Sequence, residues 1–160
     1  MRYSELYNED FLSNFNMQQR HVLDKMALNK EDYEIHIQKL VNKLGIAVKT
    51  DSSDPMSVRK YVMAYELGQT VLTPPSEPFY RFVDPDNYQG LMEKSRERQL
   101  AKFAINLLMP AKLVELAIRN IHENSSEKLD SLELAKLVAK KMNLPFGLVS
   151  SRLQNLGIIL

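Results

Sequence analysis

The sequence predicts a mainly α protein, an α+β chain whose sheet is reduced or lost, and three observations carry that expectation. Apolar residues recur at helical spacing, as in Ile37, Leu40, Val41 and Leu44 or in Leu100, Phe103, Ala104 and Leu107. Only two short stretches, 46–50 and 79–83, have the β-branched or aromatic character of a strand. Gly45, Pro74, Pro75, Pro110 and Pro145 fall where one helical pattern stops or another begins.

In chain order, one helix is expected from about Asn8 to Leu28 and, after a break at Asn29, a second to Leu44, stopped by Gly45. Ile46 to Thr50 is the best strand candidate and ends in the turn-rich run Asp51 to Pro55. Ser57 or Asp54 is expected to cap a helix from about Val58 to Leu72, halted by Pro74 and Pro75. Residues 76–90 read as an irregular connection, with a short strand at Phe79 to Val83. A helix from about Leu91 to Leu108 follows, and Pro110 opens another through Ile121, the two packing as a corner. Beyond the polar linker 123–127, Ser131 is expected to cap a helix to Met142. Pro145 opens a last helix to about Asn155, and Ile158, Ile159 and Leu160 form an apolar tail that docks on the core. The pair between Leu132 and Gly157 resembles a loose helix-turn-helix.

With 44% hydrophobic and 26% charged residues the chain has the means to bury a core and lacks the bias of a disordered one. Lysine and arginine total 21 against 20 acids, so no overall field draws the protein to nucleic acid or an anionic membrane. The absence of cysteine excludes disulfides, thiolate metal sites and cysteine nucleophiles. Charges at Arg2, Glu5, Glu9 and Asp10 precede any apolar stretch, which is unlike a secretory signal. The most apolar run, Phe103 to Ile118, is broken by Asn106, Pro110, Lys112 and Glu115. A cytoplasmic protein is therefore expected.

Two motifs carry chemistry. Glu97 to Pro110 reads E-R-Q-L-A-K-F-A-I-N-L-L-M-P, and some thirty residues upstream stands Ala64-Tyr65-Glu66-Leu67-Gly68-Gln69. In order and spacing they resemble the ImmA/IrrE metallopeptidase family, whose E-x-x-A-N-x-F-A-x-x-L-L-M-P segment follows an A-H-E-L-G-H helix. Leu134-Ala135 and Val149-Ser150-Ser151-Arg152-Leu153-Gln154-Asn155-Leu156-Gly157 are similar to the family's downstream helical pair. The resemblance spans about residues 35–160. It implies a zincin-like helical core over 35–122 with a C-terminal helical subdomain over 123–160, and leaves 1–34 as an N-terminal helical extension.

The departures bear on function. In an H-E-x-x-H helix two imidazoles at i and i+4 hold zinc and the glutamate serves as general base. Here those imidazole positions are Tyr65 and Gln69, so Glu66 keeps the general-base position and Glu97 the position of a third ligand. Phenol and amide oxygens are poor zinc ligands. Losing a metal that lowers the pKa of bound water from about 15.7 to about 7 forfeits roughly 12 kcal/mol of nucleophile activation. The resemblance thus implies a pseudo-peptidase without zinc. Its family members are commonly encoded beside helix-turn-helix repressors on prophages or mobile elements, or belong to toxin–antitoxin pairs. A protein partner of that kind, bound without being cut, is the leading expectation, and Glu66 and Glu97 are then structural, hydrogen-bonded to Tyr65 or Gln69.

Two alternatives stand beside it. Glu66 and Glu97 with water make an altered hydrolase site for a hard cation such as magnesium or manganese. Alternatively the C-terminal pair reads DNA: residues 128–160 carry Lys128, Lys136, Lys140, Lys141 and Arg152 against Asp130 and Glu133, yet Arg152 is the only charged residue on the reading helix. His21, His36 and His122 lie on separate predicted helices and are expected as solvated or capping side chains. Tyr3, Leu6, Tyr7, Phe11, Leu12 and Phe15 are expected to cap the core, and the N-terminal helices to cover the site or form a dimer.

Overall fold

The computed structural model describes residues 1–72 and 88–159, with side chains from residue 94 onward in the second stretch. The strand expected at Phe79 to Val83, the Pro74–Pro75 stop and Leu160 lie outside the described residues. Among the described residues the chain is helical and holds no strand, only an isolated antiparallel bridge between Arg2 and Ala27. After a 3-10 turn at Tyr3–Glu5, the α-helices are α1 (Glu9–Leu12), α2 (Met17–Lys25), α3 (Ile37–Lys43), α4 (Met56–Val71), α5 (Tyr88–Leu108), α6 (Ala111–Glu123), α7 (Ser131–Met142) and α8 (Phe146–Asn155). No helix among them is long and apolar enough to cross a membrane.

The single helix expected from Asn8 to Leu28 is broken. Asn8 Oδ1 accepts from the Phe11 amide at 2.9 Å and caps α1, whereas Asn16 and Gln19 exchange side-chain to backbone bonds at 2.8 and 2.9 Å in a capping box that restarts the chain as α2. At Met26 the backbone turns extended, and Tyr3 N donates to the Met26 carbonyl while Leu28 N donates to that of Met1, both at 2.8 Å. The second helix, expected directly after Asn29, begins only at Ile37. Asp32 accounts for part of the delay, since its carboxylate accepts from the Glu34 amide and from the His36 ring and so holds a turn.

Three helices end alike. Gly45 (φ 72°), Asn143 (φ 52°) and Gly157 (φ 73°) take the left-handed conformation that closes a Schellman motif. In each the next amide returns to a carbonyl five residues back: Ile46 to Val41, Leu144 to Ala139 and Ile158 to Leu153, at 2.9 to 3.1 Å. This also explains why Ile46 to Thr50 is not a strand. The Ile46 amide closes α3, and although Ile46 and Val48 turn onto the core while Ala47 and Lys49 are exposed, no neighbouring strand among the described residues pairs with them. Two expected caps are corrected as well: Pro55, not Ser57 or Asp54, occupies the N-cap of α4, and Asp130, not Ser131, caps α7 through the Glu133 amide at 2.8 Å.

α5 is central. Its predicted face of Leu100, Phe103, Ala104 and Leu107 is buried, α4 packs along it, and α3 packs on α4. Pro110 turns the chain into α6, which packs on α7, and α7 on α8. Phe11 and Phe15 of the N-terminal segment sit on Phe103, with ring centroids 5.2 and 5.9 Å away, and Tyr7 donates its hydroxyl to the Leu107 carbonyl at 2.6 Å. Buried residues from 1–34, 35–122 and 123–160 thereby belong to one continuous core, onto which Ile158 and Ile159 also pack.

Candidate functional site

The two motif segments lie on α4 and α5, and the reason those helices come close is Gly68. A Cβ there would stand 2.9 Å from Phe103 Cδ1 and 3.1 Å from Leu100 Cδ2, nearer than side-chain carbons pack. The glycine of the A-Y-E-L-G-Q segment is thus a packing residue, and its partner is the phenylalanine of the second motif.

Around this contact the motif side chains turn to the surface. Tyr65 and Glu66 are half-buried, and Gln69 and Glu97 are exposed. The Tyr65 ring lies 6.3 Å from that of Tyr61. Its hydroxyl is held above the ordinary tyrosine value, first by desolvation and then by the negative charge of Glu97, with Tyr61 and Glu66 adding and Arg96 opposing. Glu97 of α5 and the Tyr65 position of α4 are therefore within electrostatic reach of each other. Gln69 donates to Glu66 Oε1 over a long 3.4 Å, one of the two pairings expected for that carboxylate. Glu97, expected to be hydrogen-bonded to Tyr65 or Gln69, is exposed.

Arg96 escaped the sequence reading. Its guanidinium donates to the Gln69 and Leu72 carbonyls, each at 3.3 Å, and to Gln99 Oε1 at 3.1 Å, so it caps the open end of α4 from α5. No local signal marks a side chain whose partners are backbone carbonyls a helix away. A second missed group is Lys60, 4% exposed, which pairs with Glu34; the same Glu34 oxygen accepts from Asn143 Nδ2 at 3.2 Å. Burial lowers the Lys60 ammonium to about 8, with Asp32 opposing.

The residues do not fit zinc. Tyr65 keeps its proton, the Gln69 amide is turned to Glu66, and among the described residues no three His, Cys, Asp or Glu side chains converge as ligands. His36 ends the turn before α3 and its Nε2 lies 2.8 Å from Asp32 Oδ2, while His21 and His122 are exposed on α2 and α6. What the face offers is a phenol, an amide and two carboxylates.

The C-terminal pair is joined by the turn 143–145, and its one charged reading-helix residue is engaged internally. Arg152 is half-buried and its Nε donates to the Met109 carbonyl at 3.1 Å, closing the end of α5. One of the three guanidinium nitrogens of the only charged residue on α8 is thus committed to the core. Compared with protein-family models, curated proteins and solved structures, the chain matches none. The family resemblance rests on the motif residues alone.

Proposed function

We propose that this chain is a catalytically silent protein of the ImmA/IrrE type, with a zincin-like core, that regulates a protein partner by binding it. The observation that carries the reading is the relation of Glu97 to Tyr65. The residue in the third-ligand position charges the surroundings of the residue in the first imidazole position, across a helix pair drawn together by the glycine of one motif and the phenylalanine of the other. That proximity supports reading the pair as a zincin-like site with a phenol and an amide where imidazoles would be. The partner is a helix-turn-helix repressor or the cognate member of a toxin–antitoxin pair, in a phage or mobile-element setting, and the action is antirepression by sequestration.

Restoring the imidazoles tests this directly. The double variant Y65H/Q69H is expected to gain a zinc-dependent rise in melting temperature, abolished by chelator, while the parent chain is unmoved by zinc. A double variant indifferent to zinc would mean that positions 65, 69 and 97 do not form a ligand set, and the reading would fall. Stoichiometric zinc or manganese in the parent chain would instead favour the hydrolase at Glu66 and Glu97. A partner recovered with the parent chain should keep its full mass.

A further inference from the structure

A groove of about 700 Å³ opens between the N-terminal segment and the α5–α6 corner, within the roughly 300–1,000 Å³ of sites that take small molecules. Tyr7, Phe11 and Phe103 give it an apolar floor, and Asn106 of α5, Lys112 of α6 and Arg152 of α8 stand along it. None of Tyr65, Glu66, Gln69 and Glu97 lines it, so a ligand bound there is independent of the pseudo-peptidase reading.

Arg152 is the unusual member. It is half-buried, burial lowers its pKa, and among the described residues only its Nε has a partner, the Met109 carbonyl. The two terminal amino groups donate to no described residue, and no described carboxylate pairs with them. The two amino groups reach water in the groove, and their planar fork matches a carboxylate through two parallel bonds. The half-buried carboxamide of Asn106 likewise has no partner among the described residues. The two acids of the lining, Glu5 and Asp10, are not buried with it, and neither pairs with Arg152.

We propose that this groove binds a small monocarboxylic acid with an aromatic or branched apolar body, the carboxylate held by Arg152 and Asn106 and the body laid on Phe11 and Phe103. One carboxylate satisfies the open fork, and the apolar body packs against the narrow edge that the nearly buried Phe11 and Phe103 rings present to the groove.

The test is a titration of the full chain, followed by two-dimensional NMR, with 3-phenylpropionate, its neutral amide 3-phenylpropanamide, and inorganic phosphate. The acid is expected to give saturable shifts at the Asn106 side-chain amide and the Arg152 Nε–H. The amide should bind at least about tenfold more weakly, which corresponds to ~1.4 kcal/mol, and phosphate should fall below the acid because it has no apolar body. R152Q should erase the preference for acid over amide. Since R152Q also disturbs the contact with Met109, N106A serves as a second variant that removes no described contact, and it should weaken the acid severalfold. Equal binding of acid and amide, phosphate binding as tightly as the acid, shifts confined to another surface, or full acid affinity in N106A would each overturn the proposal.

Discussion

Gly68 shows how a single missing carbon sets the distance between two helices. Replacing it with alanine gains roughly 1 kcal/mol of helix propensity and meets an overpacking cost of about 1–3 kcal/mol. Which wins depends on whether the Phe103 ring can retreat, and Phe11 and Phe15 flank that ring at 5.2 and 5.9 Å. Gly68→Ala is therefore expected to lose about 1–2 kcal/mol in urea unfolding, and a variant more stable than the parent would show that the ring gives way. The same residue marks how far the sequence can be read. Its place in a motif was visible, yet its role was not, because the atoms it makes room for lie on another helix, far along the chain. Tyr65, Glu66, Gln69 and Glu97 were likewise legible as a set, while their exposure was not, since burial depends on what neighbouring helices leave uncovered.

At the level of elements, helix faces were legible wherever periodicity and punctuation agreed, as in the buried stripe of α5 or the Gly45 stop of α3. They misled where periodicity ran on through a cap. The apolar residues of 8–28 suggested one helix, although Asn16 and Gln19 already spelled the capping box that splits it. Ile46 and Val48 had the alternation of a strand, but a ladder needs a second strand that no local pattern reveals. The joint between elements is equally non-local: Glu34, in the turn before α3, holds Lys60 of α4 and Asn143 at the end of α7. Between about 8 and 10.5 the unfolded chain keeps a proton on Lys60 that the folded chain has released. Stability from this amine is thus lost as pH falls through 8 and is complete above 10.5. Measured against Lys60→Met, the parent chain should gain on the variant as pH rises across that window, by up to ~3 kcal/mol. A stability difference that stays flat from pH 8 to 10.5 would mean that Glu34 keeps the ammonium charged throughout.

For the molecule as a whole the decisive fact is that one core runs through the described parts of the chain, from the N-terminal segment to α8. Phe11 touches Tyr7, Phe15 and Phe103, and α5 in turn carries α4 on one side and leads through Pro110 to α6 and the C-terminal pair. Arg152 ties α8 back to the end of α5, and Lys141 Nζ of α7 lies 5.4 Å from the centre of the Tyr33 ring, so the C-terminal pair is held to the rest by polar contacts as well. An N-terminal segment that merely lay on a finished core would melt by itself and leave α4 to α8 untouched. Shared burial requires the opposite. Phe11→Ala removes a large buried ring, at a cost of about 3–5 kcal/mol. That loss should appear as the same drop in hydrogen-exchange protection for core amides of α2, α5 and α7, because each opens only with the whole. Protection lost in α2 while α7 keeps the parent value would show two cooperative units, and would place the boundary between them at the Phe11–Phe103 contact.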